Sequence, residues 1–253
     1  IDYISLSSTG TAHDFGDLTV SRAYLAACSN DTIGVFAGGC ETLASIETYN
    51  LIDYINIATV GHASDFGDLV IARNSLTACS SCFYGFFAGG RCRLDQGSSE
   101  QFYNSIDYIN ISLLGTATDF GDLTVSRSGL SSCSSDTRGL FAGGEIPNSL
   151  YYNIIDYITL STLGDAIDFG DLSYNVIDHS SASSLTKGIF WGNSEHIEQV
   201  TIATTGNSTT FGTLNNLHPS GASCSNAHGG LFLFSSSQNG YFGGGFYGSV
   251  PVS

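Results

Sequence analysis

The sequence predicts an all-β fold made of about five copies of one strand-rich unit of roughly 50 residues. Three observations carry that expectation. IDYI recurs at Ile1, Ile52, Ile106 and Ile155, with a drifted copy, IEQV, at Ile197. DFGDL follows at Asp14, Asp65, Asp119 and Asp168, worn to TFGTL at Thr210. The composition agrees: 31 glycines, 13 tyrosines and 16 phenylalanines against 3 prolines suit short strands joined by tight turns.

Within each unit four short runs are separated by turn-rich pieces and read as strands. In chain order they are a (LAACS), b (GVFAGG), c (IDYI) and d (DFGDL). Strand a carries a recurrent cysteine at Cys28, Cys79, Cys133 and Cys224, replaced by Ala182 in the fourth copy. Strand b recurs as GVFAGG, GFFAGG, GLFAGG and GIFWGN from Gly34, Gly85, Gly139 and Gly188, and GLFLFS from Gly230 offers a fifth. In strand c apolar residues fall on both faces, Ile52 with Tyr54 and Ile55 with Ile57, as in a sheet covered on both sides. Gly16 and its equivalents in DFGDL predict a bulge or a close backbone approach in the outermost strand.

This arrangement predicts a single domain over residues 1–253 that folds as a five-bladed β-propeller. The chain starts with strand c and ends with strand b. A blade shared by the N- and C-terminal strands therefore closes the ring and removes the open sheet edges. Asn239–Gly248 is an alternative strand b or a tail. The rival, an open stack of repeats, calls for capping units with polar outer faces, and the sequence offers none.

Composition also excludes functions. A formal net charge of −16 repels nucleic-acid phosphates and anionic lipid. No apolar run approaches the roughly 18 residues of a membrane span, so neither nucleic acid nor membrane insertion is expected. DFG here is repetition and not a kinase signature, because that signature needs a strand lysine and this chain has one lysine, Lys187. His13, His62, His179, His196, His218 and His228 have no metal-binding spacing, and no DxDxDG loop is present. No cofactor, metal or catalytic residue is assigned. Of the 23 acids, 12 belong to the repeat itself, in strand c or the DFGD runs. The strand-a cysteines read as small buried side chains, and a Cys82–Cys92 pair fits the spacing of one hairpin.

The order arginine, small strand, hydrophobic-GG hairpin, tyrosine-containing strand and closing turn resembles kelch-type propeller repeats over the whole chain. It departs where a kelch tryptophan is expected, since the phenylalanine of DFGDL stands there. The wording IDYI…TG…ATDFGDL…R…CS…RGLFAGG resembles repeats of structural proteins of marine bacteriophages. The resemblance implies a non-enzymatic virion component, a capsid, tail or fibre module exposed on the virion, that contacts other virion proteins or a host-surface glycan or protein. A secreted lectin or protein-binding propeller, or a sugar-oxidising or glycan-cleaving enzyme, are the alternatives.

Antiparallel strands put the d–a and b–c connections on one side. Arg22, Arg73 and Arg127 lie in the former, and Arg91, Arg93 and Tyr103 in or beside the longest of the latter. The kelch resemblance adds Tyr24, Ser75 and Asp178, which match its partner-binding loop positions. These nine residues form the expected contact face. The plainer role of Arg22, Arg73 and Arg127 is to bridge to the repeat aspartates between neighbouring blades.

Overall fold

The computed structural model describes residues 1–5, 9–42, 47–94, 99–192 and 194–216, together with the strand pairing of four short segments beyond them. Four four-stranded antiparallel sheets follow one another, each ordered a-b-c-d. The first comprises Ala26–Ser29, Ile33–Ala37, Leu51–Asn56 and Ser64–Asp68. The second comprises Thr77–Ser80, Tyr84–Ala88, Ser105–Asn110 and Thr118–Asp122. The third comprises Ser131–Ser134, Arg138–Ala142, Ile154–Thr159 and Ile167–Asp171, and the fourth Ser180–Ser183, Lys187–Trp191, His196–Thr201 and Thr209–Thr213. No helix occurs among the described residues. The architecture is all-β and propeller-like.

The chain ends carry two further pairings. Asp2–Tyr3 pairs with His13–Asp14 as strands c and d, and Ala222–Ser225 pairs with Gly240–Gly243 as strands a and b. Strand b of the last unit is thus drawn from NGYFGGG; the GLFLFS alternative lies outside the described residues. Among the described residues no ladder joins the N-terminal pair to the C-terminal one.

The second and third sheets are packed on both faces, so the core runs between sheets as separate apolar layers. Phe87 of the second sheet sits with Val35, Ile52 and Phe66 of the first, and Phe141 of the third with Phe86, Ile106 and Phe120 of the second. Three repeated devices join each sheet to the next. The first explains the serine-rich strand a: Ser80 Oγ donates to Ser29 O at 2.8 Å, Ser134 Oγ to Ser80 O at 2.8 Å and Ser183 Oγ to Ser134 O at 2.9 Å. Hydroxyls thereby satisfy inner-strand carbonyls that have no neighbouring ladder.

The second device explains the glycine that opens the paired part of strand b. A Cβ on Gly85, Gly139 or Gly188 would lie 2.7, 2.9 or 2.7 Å from the sulfur of Cys28, Cys79 or Cys133 on the preceding sheet. The third explains DFGD. The pairing of strands c and d skips Phe66, Phe120 and Phe169, which places the expected bulge there. The glycine that follows lies flush on the c–d turn of the next sheet: a Cβ on Gly121, at φ +149°, would stand 2.5 Å from Gly164 O. That turn donates two backbone hydrogen bonds back, Gly164 N to Phe120 O at 3.0 Å and Ala166 N to Asp122 O at 2.7 Å. The same latch forms at Gly61 on Phe15, Gly115 on Phe66 and Gly206 on Phe169. Gly10 and Ala12 make no such bond among the described residues, and Phe211 is 60% exposed where Phe169 is 2% exposed.

Candidate functional site

The four inner strands converge on a central cavity. At its mouth stand Tyr24, Ser75, Gly129 and Asp178, each the second residue after the repeat arginine or its replacement. All four hold left-handed backbone, with φ of 56°, 52°, 65° and 49°. The last three each donate their N–H to the carbonyl of the one before: Ser75 N to Tyr24 O at 2.9 Å, Gly129 N to Ser75 O at 2.8 Å and Asp178 N to Gly129 O at 2.9 Å. The result is a backbone rim on which one residue per repeat presents its own chemistry. Leu25, Leu76, Leu130 and His179 form the layer beneath and enclose about 180 Å³. Deeper still, Thr77, Ser131, Ser132, Ser180 and Ser181 line a hydroxyl-rich chamber of about 210 Å³.

His179 departs from the leucine of its three siblings. It is 6% exposed, its Nε2 lies 2.6 Å from Ser131 Oγ, and its buried Nδ1 has no partner among the described residues. Burial, and then the Arg127 guanidinium, push its pKa down to about 3. The imidazole at the cavity mouth is therefore neutral at ordinary pH.

The structure gathers three of the nine expected residues, Tyr24, Ser75 and Asp178, at this rim. It removes three others from the face. Arg22, Arg73 and Arg127 do not face a ligand: their side chains are 0% exposed. Each arginine crosses its own sheet to the strand-c aspartate, Arg22 to Asp53 at 2.8 Å, Arg73 to Asp107 at 3.2 Å and Arg127 to Asp156 at 2.8 Å. The pairs lie within one sheet and not between neighbours, because the arginine also donates to strand-b carbonyls, as Arg127 does to Phe141 O and Gly143 O. The aspartate in turn accepts from the incoming d–a connection, through Thr19 N, Val70 N or Thr124 N. Burial raises the Asp107 pKa and lowers that of Arg73, so desolvation works against both charges. In the fourth sheet Val176 replaces the arginine, and Glu198 accepts from Ser173 N.

Arg91 and Arg93 are likewise engaged. They lie on the hairpin Arg91–Arg93/Glu100–Phe102. Arg91 meets Glu145 of the next sheet's hairpin at 2.8 Å and Glu100 at 3.3 Å, and Arg93 meets Glu100 at 3.8 Å. Tyr103 is half-buried with its hydroxyl 3.1 Å from Cys92 Sγ; burial and that contact push its pKa up to about 12. Cys82 and Cys92 are free thiols and not a disulfide. Among the described residues no three metal-ligating side chains converge.

With the geometry in place, comparison with known proteins bears on the fold alone. A solved structure, YjhT, is similar. The match has a TM-score of 0.65 at 8% sequence identity and covers 83% of this chain and 72% of that one. No protein-family model and no curated protein sequence matches the chain.

Proposed function

We propose that this chain is a non-enzymatic recognition module, a five-bladed kelch-like propeller carried on a phage virion, whose working surface is the cavity mouth. The observation that carries the reading is the rim itself. Left-handed backbone costs a residue with a side chain about 1–3 kcal/mol, and glycine nothing comparable. Gly129 occupies that place in one repeat, yet a tyrosine, a serine and an aspartate occupy it in the others. Side chains retained against that cost, over a shallow cavity with hydroxyls and one imidazole below, suit reversible contact with a hydroxyl-rich ligand such as a host-surface glycan. The phage assignment rests on the wording of the repeat and not on this geometry.

The same reading closes the ring. Ala222–Ser225 extends the row of inner strands, Gly240–Gly243 supplies strand b, and the N-terminal pair supplies c and d. The fifth latch would then set Gly10 and Ala12 on the carbonyls of Phe211 and Thr213, and cover the exposed Phe211 ring.

The test replaces Tyr24, Ser75 and Asp178 together by glycine, copying Gly129. Melting should be unchanged or raised, while binding on glycan arrays and to host cells should fall by about tenfold or more. Undiminished binding by the folded variant rejects the mouth as the contact surface. Retained turnover of a sugar substrate would reject the non-enzymatic reading.

A further inference from the structure

The second sheet carries an aromatic cluster that its siblings lack. Its strand b begins with Tyr84 where they have Ile33, Arg138 and Lys187, and its third residue is Phe86 where they have Val35, Leu140 and Ile189. Phe86 meets Phe120 edge-on at 5.3 Å and lies near parallel to Tyr108, at 6.4 Å and 22°, while Tyr84 stands edge-on to Tyr108 at 5.9 Å. These four rings form one wall of a cleft of about 210 Å³, and Leu160–Leu163, the c–d turn of the third sheet, forms the other. Tyr84 and Leu163, 37% and 62% exposed, open it to solvent. The cleft lies on the side of the a–b and c–d turns, away from the cavity mouth.

One sheet further on, the chain displays what fills the equivalent space. Arg138, which begins strand b there, holds its guanidinium 4.5 Å from the centroid of the Tyr157 ring. It also donates from Nη1 to the carbonyl of Ile202 at 3.0 Å. Tyr157 is the counterpart of Tyr108, and Ile202 follows strand c of the fourth sheet as Leu160 follows strand c of the third. In the second sheet the acceptor is left over: among the described residues the Leu160 carbonyl takes no hydrogen bond, and the Tyr84 and Tyr108 hydroxyls make none.

We infer that this cleft takes an arginine side chain of a partner protein, stacked on the Tyr108 ring and donating to the Leu160 carbonyl. The ring faces supply the cation–π attraction and the carbonyl fixes the direction of approach. The chain's own lysine and arginines are already engaged: Arg22, Arg73 and Arg127 with strand-c aspartates, Arg91 and Arg93 with glutamates, Arg138 with Tyr157, and Lys187 with Thr201. The cation therefore comes from outside, and a net charge of −16 draws it in.

The experiment follows the methyl resonances of Leu160 and Leu163 by NMR while acetyl-Gly-Arg-Gly-amide is titrated against its neutral citrulline counterpart. The arginine peptide should shift these methyls and bind about tenfold more tightly than the citrulline peptide. Tyr84→Arg, which copies the third sheet, should fill the cleft from within and abolish the shifts; Tyr84→Ile, which copies the first, should weaken them several-fold. Equal binding of the two peptides overturns the inference, as do unchanged shifts in either folded variant. Shifts produced by methyl glucoside but not by the arginine peptide overturn it in favour of a sugar site.

Discussion

Cys79 of the second sheet and Gly139 of the third interlock, so closely that a Cβ on Gly139 would stand 2.9 Å from the cysteine sulfur. Gly139 has no left-handed backbone, so space and not strain forbids a side chain there. Gly139→Ala should cost about 1–3 kcal/mol by overpacking. Cys79→Ala, which puts in the second sheet what Ala182 already is in the fourth, should relieve most of that cost in the double variant. A double-mutant cycle in urea reads the coupling. Equal costs of Gly139→Ala in both backgrounds would show that the two residues do not interlock.

The same burial governs reactivity. Cys133 is 0% exposed and burial pushes its pKa up to about 12; Cys79 is raised in the same direction. The thiolate that reacts is therefore scarce at neutral pH. Iodoacetamide should leave both residues unlabelled in the native protein and modify them on denaturation, as peptide mass mapping would record. Native labelling at a rate like that of a free peptide thiol would place them elsewhere.

Much of this was legible beforehand for one reason: repetition marks the positions that the fold constrains. The four strands, the bulge at DFGD and the burial of Cys79 and Cys133 were each read from recurrence; Cys28 is only half-buried, and the side chain of Cys224 lies outside the described residues. The geometry adds why the DFGD glycine and the strand-b glycine recur, since each accommodates an atom of the neighbouring sheet. The arginines stayed open between a contact face and a bridge to the repeat aspartates, because repetition does not say whether a charge is buried. Arg22, Arg73 and Arg127 recur as surface-type residues, and only the crossing to Asp53, Asp107 and Asp156 reveals internal staples. The rim residues came from the kelch resemblance and not from recurrence. Tyr24, Ser75 and Asp178 share no chemistry, and the lone signal for their backbone was Gly129 at the same repeat position.

Arg127 and Asp156 make a buried pair whose members stand or fall together. Arg127→Met leaves the Asp156 carboxylate without its cation and should cost about 3–5 kcal/mol. Adding Asp156→Leu removes the stranded charge and should recover a large part of the loss. The fourth sheet has Val176 in the arginine's place and a longer carboxylate, Glu198, which still accepts from Ser173 N. Urea midpoints measure both; a double variant no more stable than the single one refutes the account.

His179 predicts acid sensitivity. Its pKa is lowered to about 3 in the folded protein, from a usual value near 6.5. Below about pH 6.5 the unfolded chain binds a proton that the native state refuses, so stability is full above that pH and falls as pH drops toward 3. The slope approaches about 1.4 kcal/mol per pH unit. His179→Leu, which restores the residue of the other three sheets, should remove this slope between pH 6.5 and 5, where the carboxylates contribute less. An unchanged pH profile in that variant would mean that His179 titrates normally.

The proposed ring closure makes a local demand on two amides. At the four latches among the described residues the turn glycine and the residue two beyond it donate to the preceding strand d, as Gly61 and Ala63 do to Phe15 and Asp17 at 2.9 and 2.8 Å. Such bonds open only with the sheet junction, so their amides should exchange slowly. If the N-terminal turn closes on Thr209–Thr213, then Gly10 and Ala12 should be protected to the same degree as Gly61 and Ala63. Removing residues 1–18 should deprotect Thr209–Thr213, and the strand-b edge thus bared at Gly240–Gly243 should drive association. Hydrogen exchange by NMR reads the first, and sedimentation the second. Gly10 and Ala12 exchanging at free-peptide rates, with a truncated chain that stays monomeric and melts as before, would leave the five-bladed closure without support.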